Sequence, residues 1–476
     1  MRTAWIIPLA ALAAGCNGKD SDTGVNEYCE GLTVASSANV ATILEFSWTT
    51  PDADTATISW GKGDLANSFE DVVSDGTSHS AAILGVPSIS SLTYEIVHAS
   101  GEVCPGEVTT NNLPATVPSM EIGVYDAAQV SDKPYLAGVA LGGQPAFFVI
   151  ERESGDYLWY RELEGSPKLN PVMTFANGSN DILYNEFSED RDNDIGAIYR
   201  ESLTGESVEA YDTDWAHHTF EQGPDGVLAY VYADIREVTA EDTDDADLVG
   251  FTAVGDAIWL VDPATGAISE LFSTWDYLPV QEGDLWDDGF YPQGNNWTHG
   301  NALNYYEVSP TTGGPTYLFS FGGLDVILEI DASSGEVVAE FSGDGGYGTD
   351  AAIRPAAGST SFSFQHDTTW TDDGNLLMSS SLGVGPSYET YQIEYSVDYG
   401  GGALTEVWSN GVGEKFQAFA LGQARRQDNG NTLISWGSGG LIREVTADNE
   451  VVWELGATAG NFFGHVELLG DIYTGE

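Results

Sequence analysis

Three of the seven histidines in this chain stand at the same position of a repeated sequence unit. His218 and His366 each precede an Asp-Gly pair by seven residues, and His299 opens the corresponding unit between them. Equal phase in a repeat protein means an equivalent place in the fold, so we expect these side chains to converge. Imidazoles gathered in one place can act as nucleophile, proton donor or transition-metal ligand near pH 7, although the usual zinc companions are absent.

The elements that must position these histidines are short strands. A strand, a Gly-centred turn and a second strand recur six times, and one such unit cannot bury its own sheet face. We therefore predict an all-β chain in which residues 119–476 form a six-bladed β-propeller. The repeats are Phe147–Leu163, Ala197–Tyr211, Ala257–Phe272, Val326–Phe341, Tyr391–Trp408 and Leu441–Leu455.

A smaller domain is predicted ahead of the propeller. Residues 31–111 contain short alternating strands separated by turn residues, a pattern that resembles a fibronectin type III-like β-sandwich. Residues 112–118 are predicted to be a linker. Cys29 and Cys104 bracket the domain, and an even pair of cysteines in an exported chain predicts a disulfide.

The N-terminus indicates export. A short apolar run ending at Leu12-Ala13-Ala14-Gly15-Cys16 resembles a bacterial lipoprotein signal, residues 1–16, with ordinary signal cleavage as the alternative. Cys16 would then carry lipid, and residues 17–30 would be a tether. We expect a lipid-anchored protein of the periplasm or cell surface, and Asn17 favours the outer over the inner membrane.

The charge balance narrows the function classes. Seventy-four acidic residues against 15 basic ones leave a formal net charge of −59, which excludes nucleic-acid binding. Adaptation to salty surroundings and calcium binding both remain as explanations. Asp190, Asp192 and Asp194 come close to a calcium loop, although the glycine is one place late and a solvated acidic loop is the alternative. No nucleotide-binding loop is present, and no other cofactor is predicted.

Four tracts carry a family resemblance: Trp215–Thr219, Asn296–Asn301, Phe364–Asp367 with Asp373–Leu377, and Asn429–Gly437. They resemble the bacterial arylsulfate sulfotransferase family over most of residues 120–455. The resemblance implies a small N-terminal β-domain and a six-bladed propeller. It also implies transfer of a sulfuryl group from an aryl sulfate donor to a phenolic acceptor through a sulfated histidine, without a nucleotide donor.

The resemblance assigns roles to individual residues. His366 matches the nucleophile, and the sulfate-binding positions fall on His299, on His218 or its neighbour His217, and on Asn301 of the His-x-Asn element. The family's arginine has no counterpart, because Gly322 stands near its place. Arg354, in the loop before His366, is the candidate to replace its charge.

Three functional classes follow from these residues. The first is an active sulfotransferase, which the retained histidines favour. The second is a propeller that binds a sulfated or phenolic ligand without turnover, and the third is a surface scaffold. The oligomeric state is open, and a dimer formed through the N-terminal domain is one arrangement.

Overall fold

The computed structural model describes residues 26–473 except 71, 144, 164–171, 177–180, 187–195, 206–207, 282–284, 287–290, 292, 344–346, 350, 383–388 and 458–460. Every element in these described ranges is a β-strand or a short 3₁₀ turn, so the all-β prediction is confirmed. The 3₁₀ turns are Glu27–Cys29, Thr274–Asp276 and Gly437–Gly439. The described ranges contain no helix with the length and apolarity needed to cross a membrane.

The N-terminal region contains two four-stranded sheets. One has the order β1 (Thr33–Ser36), β2 (Leu44–Thr49), β6 (Ser78–Ile83), β5 (Val73–Asp75), and the other β4 (Asn67–Phe69), β3 (Ala56–Gly61), β7 (Ser91–His98), β8 (Val103–Thr109). Buried and exposed residues alternate along β2 and β7, as expected for strands with one buried face. The rings of Phe46 and Tyr94 meet edge to face, with centroids 5.3 Å apart. The fibronectin type III-like identity of this region stays a prediction.

The predicted disulfide is present between Cys29 and Cys104. Cys29 lies in the 3₁₀ turn before β1, and Cys104 lies in the last strand of the region. The bond therefore ties the start of the region to its end.

Contacts divide the chain into two compact units. One contains Glu45–Ala81 and Leu92–Val108 with the segment that ends at Val34, and the other contains Ala35–Leu44, Ala82–Ser91 and Thr109–Glu476. The domain boundaries predicted at residues 111 and 118 stay predictions.

Six sheets follow, and we number them as blades in chain order. Blade 1 is β10 (Tyr135–Gly142), β11 (Ala146–Glu151), β12 (Tyr157–Glu162) and β35 (Asn461–Leu469); blade 2 is β13 (Met173–Phe175), β14 (Asp181–Glu186), β15 (Ala197–Ser202) and β16 (Val208–Asp212). Blade 3 is β17 (Ala216–Gln222), β18 (Leu228–Glu237), β19 (Thr252–Asp262) and β20 (Ala267–Ser273), with β21 (Asn295–Asn296) pairing with β19.

Blade 4 is β22 (Gly300–Tyr306), β23 (Thr316–Phe321), β24 (Val326–Asp331) and β25 (Val337–Ser342). Blade 5 is β26 (Arg354–Pro355), β27 (His366–Trp370), β28 (Leu376–Leu382), β29 (Glu389–Asp398) and β30 (Ala403–Asn410). Blade 6 is β31 (Gln423–Arg426), β32 (Thr432–Ser435), β33 (Leu441–Val445), β34 (Val451–Ala457) and β9 (Met120–Tyr125).

The inner strands of neighbouring blades contact one another, β17 with β22, β22 with β27 and β27 with β31. Two blades are completed by strands from the far end of the chain. β9 pairs with β34 in blade 6, and β35 pairs with β10 in blade 1. Both sheets therefore combine strands that lie far apart in the chain.

Candidate active site

The inner strands of blades 3, 4 and 5 are all irregular where a histidine occurs. The pairing register shifts between Ala216 and Phe220 in β17, between Gly300 and Ala302 in β22, and between His366 and Thr369 in β27. Three residues at these bulges have left-handed backbones, His218 with φ 58°, His299 with φ 50° and Asp367 with φ 46°. A bulge re-aims the side chain it carries, and such strained backbone is retained where the surrounding structure imposes it.

These bulges bring three histidines together. The ring centroid of His218 lies 5.3 Å from that of His299 and 6.4 Å from that of His366. All three side chains are buried. The positions that share a repeat phase in the sequence therefore share one site in the fold.

His366 is held as a neutral imidazole. Burial, and after it the charge of nearby His299, lowers the pKa of His366 to about 3. A neutral imidazole has a free lone pair, which a nucleophile requires.

His217 and His218, which the sequence could not separate, have different surroundings. His218 reaches His299 and His366, whereas the ring of His217 packs against Tyr291, with centroids 5.8 Å apart. Nδ1 of His217 lies 2.7 Å from Nδ1 of His218, and Nε2 of His217 lies 2.8 Å from Oδ1 of Asp256. His218 is therefore the member of the pair that meets the other two histidines.

Asp256 holds two blades at the site. It belongs to β19 of blade 3, and only 1% of its surface is exposed. Its Oδ2 accepts hydrogen bonds from the Thr298 hydroxyl and from the Gly300 amide, which flank His299 in the chain. One carboxylate thus contacts His217 directly and binds both chain neighbours of His299.

Aromatic rings surround the histidine cluster. Phe364 stacks on His299 with centroids 5.7 Å apart, and Trp286 lies 5.5 Å from the same ring. Trp286 and Phe364 also meet edge to face at 6.0 Å. A flat apolar group could pack against this surface, since aromatic rings favour stacked and edge-to-face contacts.

A cavity of about 30 Å³ adjoins His366, which is room for about two water molecules. Its lining includes Asn301, Glu221, Asp367, Arg425 and His465. Asn301, predicted to bind substrate, donates from Nδ2 to the backbone oxygen of Gln365 at 2.8 Å. Its Oδ1 accepts no hydrogen bond from any residue that the structure describes.

A guanidinium does reach the cavity, but it belongs to Arg425 and not to Arg354. Arg425 donates from Nη2 to Asp367 Oδ1 at 2.7 Å and from Nε to Asp367 Oδ2 at 3.1 Å. Its Nη2 also donates to Asn304 at 2.8 Å. Arg354 lies in β26, where its Nη1 donates to the Ser342 hydroxyl at 2.8 Å, and it is not among the residues that line the cavity.

Gly322 lies directly against Asn301. A Cβ atom added at Gly322 would come within 2.5 Å of Asn301 Nδ2, closer than real Cβ atoms approach. The Gly322 amide donates to the backbone oxygen of His299 at 3.0 Å. Two chain segments thus approach closely at Gly322.

The remaining candidates from the sequence are the acidic residues of the predicted calcium loop and the predicted lipidation site. Asp190, Asp192 and Asp194 lie outside the described residues, as does Cys16. Within the described ranges, no three His, Cys, Asp or Glu side chains are placed to hold a metal ion.

Sequence reasoning missed Asp256, Arg425, Glu221 and His465. Arg425 and His465 gave a weak signal, since the chain has few basic residues and few histidines. Asp256 and Glu221 gave none, because they are two of 74 acidic residues without a shared phase.

Comparisons with solved structures return propeller-like folds. A protein of unknown function from Bacteroides caccae is 14% identical, with 70% of this chain and 98% of that chain covered and a TM-score of 0.44. A virginiamycin B lyase from Staphylococcus aureus is 13% identical over 70% of this chain and 87% of its own, with a TM-score of 0.35. The periplasmic gluconolactonase of Pseudomonas aeruginosa is 11% identical over 70% and 98%, with a TM-score of 0.37.

No curated protein matches the chain. The family model described as arylsulfotransferase (ASST) matches residues 139–460, a stretch that contains all three converging histidines and most of the six blades. The chain therefore belongs to the arylsulfotransferase family.

Proposed function

We propose that this protein transfers a sulfuryl group from an aryl sulfate to a phenol through a sulfated His366, without a nucleotide donor. The observation that carries the proposal is the meeting of His218, His299 and His366 at three bulged inner strands. The low pKa of His366 supports its role, since it keeps the imidazole neutral across the neutral pH range.

The first half-reaction is an in-line displacement at sulfur. A nitrogen of His366 attacks, the bond between sulfur and the phenolic oxygen breaks, and a phenolate leaves. The acceptor phenol gives up its proton, which balances the proton that the departed phenolate takes up, and its oxygen attacks the sulfohistidine; the bond between sulfur and nitrogen breaks, which releases His366 and a new aryl sulfate. Such transfers have loose transition states, so positioning and electrostatics supply most of the catalysis.

The neighbouring groups are assigned to binding. His218, His299 and Asn301 surround the sulfuryl oxygens, while Trp286 and Phe364 pack against the aryl ring. Arg425 contributes less charge than a free arginine would, because Asp367 neutralises it through two hydrogen bonds.

The test is incubation with a chromogenic aryl sulfate and a phenol, with release of the coloured phenol as the readout. His366→Ala should abolish release while the circular dichroism spectrum stays unchanged. Loss of His299 or His218 should slow transfer by about two to three orders of magnitude, the usual cost of one transition-state donor. Full activity in His366→Ala would refute the proposal.

The missing arginine favours a second candidate, a propeller that binds a sulfated or phenolic ligand without turnover. Gly322 supplies no charge, and a side chain at this position would meet the Asn301 amide. Binding of aryl sulfate without any release of phenol would select this alternative.

We also propose that the protein is exported and anchored by lipid on Cys16, on the strength of the apolar run that precedes this residue. Mass spectrometry of the mature N-terminus tests this, and an unmodified N-terminus elsewhere would contradict it.

A further inference from the structure

The backbone that follows His366 is held by side chains of the two neighbouring blades. We propose that Asn304 and Arg425 are positioning residues that fix this backbone and thereby aim the His366 imidazole. The inference rests on the proposed function for the role of His366, and it names the residues that set the direction of its ring.

The pairing of β27 with β28 is interrupted directly after His366. His366 and Thr369 have partner residues in β28, whereas Asp367 and Thr368 between them have none. Asp367 also has a left-handed backbone, with φ 46°, a conformation that is costly for a residue with a side chain and persists where the surroundings impose it. The sheet of blade 5 therefore does not fix this part of its own inner strand.

Asn304, on the inner strand of blade 4, supplies the first of the missing contacts. Its Nδ2 donates to the backbone oxygen of Thr368 at 2.9 Å, and only 4% of its surface is exposed. Its Oδ1 accepts a hydrogen bond from Nη2 of Arg425 at 2.8 Å. Because both ends of the amide are engaged, the Asn304 side chain is held in one orientation.

Arg425, on the inner strand of blade 6, supplies the second contact. It donates from Nε and Nη2 to the two oxygens of Asp367, the fork geometry in which a guanidinium holds a carboxylate best. The same guanidinium donates to Asn304, so blades 4 and 6 hold Asp367 and Thr368 through one network. Because Asp367 directly follows His366, a movement of this network would turn the backbone from which the imidazole projects.

The residue before His366 is held as well. Gln365 is fully buried, and its Nε2 donates to the backbone oxygen of Val326 at 2.9 Å and to the Ser320 hydroxyl at 3.1 Å. Its backbone oxygen accepts the hydrogen bond from Asn301. The backbone is thus fixed on both sides of His366.

The His366 ring itself has ring contacts rather than hydrogen bonds. Its centroid lies 6.4 Å from that of His218 and 6.4 Å from that of Phe364, and it makes no hydrogen bond to any residue that the structure describes. In a catalytic triad, by contrast, a partner on the second ring nitrogen orients the imidazole. The direction of the His366 ring therefore depends on the backbone that Asn304 and Arg425 hold.

The same device occurs at a second histidine of the site. Asn185, a buried residue of β14 in blade 2, donates from Nδ2 to the backbone oxygen of His218 in blade 3, at 3.4 Å. In both cases an asparagine of one blade supports the bulge that carries a histidine in the next blade along the chain. This recurrence favours a role for Asn304 at the site over a purely local one.

The test compares Asn304→Ala with Asn431→Ala in the kinetics of transfer from a chromogenic aryl sulfate to a phenol. Asn431 is the matched control, because it is also buried and donates to the backbone oxygen of Gln129 and to Glu444, but it does not line the cavity. Asn304→Ala should lower kcat about 10- to 100-fold and leave KM within about twofold, since misplacement of a nucleophile is felt in the transition state. Asn431→Ala should leave both constants within about twofold of the wild type.

A second readout does not depend on turnover. In nuclear magnetic resonance spectra of histidine-labelled protein, the ring signals of His366 are assigned by their loss in His366→Ala. They should shift in Asn304→Ala and keep their positions in Asn431→Ala. If Asn304→Ala does not fold, Arg425→Lys takes its place, because lysine keeps the charge but lacks the fork of donors. This variant should shift the same signals and lower kcat.

Either a wild-type kcat or unshifted His366 signals in these variants would overturn the inference. Equal effects of Asn304→Ala and Asn431→Ala would also overturn it, because they would reveal a general loss of packing. Absence of transfer by the wild type would overturn the proposed function instead. The ring signals would then still decide whether Asn304 and Arg425 set the direction of His366.

Discussion

Gly322 shows at the scale of a single residue how closely two chain segments pack beside His366. Its missing side chain allows the Asn301 amide to approach, and that amide in turn holds the backbone oxygen of Gln365, next to His366. A side chain at position 322 would meet the Asn301 amide and disturb the segment that carries His366.

We therefore expect Gly322→Ala to lower the free energy of unfolding by about 1–3 kcal/mol, the usual cost of overpacking. Aryl sulfate turnover should fall in the same variant. Gly456→Ala is the control, because nothing lies within 4 Å of its Cβ position. Urea unfolding measures both, and equal effects of the two substitutions would contradict the packing argument.

The site residues that could be predicted from the sequence are those that recur at one position of the repeated unit. The sequence reveals the converging histidines because His218, His299 and His366 occupy the same position of the repeated unit. Residues at the same position of a repeat occupy equivalent places in successive blades. Asp256 and Arg425 act through contacts between blades, with partners far away in the chain. No local pattern encodes such a contact, so only the folded chain shows it.

At the scale of elements, the ion pair between Asp367 and Arg425 joins the inner strands of blades 5 and 6. Arg425→Met should cost about 1–3 kcal/mol, since it leaves a largely buried carboxylate without its partner. Part of this loss should return in the double variant with Asp367→Asn, because the two residues interact. The pair Arg443–Glu454, whose carboxylate is more exposed than that of Asp367, is the control, and Arg443→Met should change stability by less than about 1 kcal/mol.

Glu221, on the inner strand of blade 3, lines the cavity and should make the stability of the fold depend on pH. Burial raises the pKa of Glu221 to about 8; nearby Arg425 opposes this shift, whereas Asp367 and Glu467 add to it. The folded state thus binds this proton more tightly than the unfolded state does. The stability that this group contributes is complete at acid pH and is lost as pH rises through about 8.

Glu221→Gln keeps the neutral form at every pH. We expect this variant to melt a few degrees above the wild type near pH 9 and to match it near pH 5. Thermal unfolding followed across this range is the measurement. A wild type with no extra loss of stability on the alkaline side would contradict the assignment.

The outer hairpins of the blades could be predicted well, because their signal is local. The repeat at Val326–Phe341 covers β24 and all but the last residue of β25, and the repeat at Tyr391–Trp408 covers most of β29 and β30 with the turn between them. The closing strands β9 and β35 could not be predicted, since their partners lie at the opposite end of the chain. The bulges of the inner strands also could not be predicted, because the alternation of apolar and polar residues does not show where the pairing register shifts.

At the scale of the whole molecule, the charge of −59 dominates the solution behaviour. Carboxylates at this density repel one another, and salt screens that repulsion. The melting temperature should therefore rise as sodium chloride increases from millimolar to molar concentration. A flat or falling curve would contradict this expectation, whereas the same rise with micromolar calcium would point to the loop of Asp190.

The pairing of β10 with β35 places Tyr135 opposite Leu469. A ribosome adds residues from the N-terminus, so blade 1 lacks its fourth strand until Asn461–Leu469 has been made. Throughout synthesis the nascent protein exposes an unpaired edge of β10, which is open to association with other chains. The pairing of β10 with β35 therefore cannot form before the strands of blades 2 to 6 have been synthesised, and a stop codon shortly before Asn461 would leave blade 1 without its fourth strand.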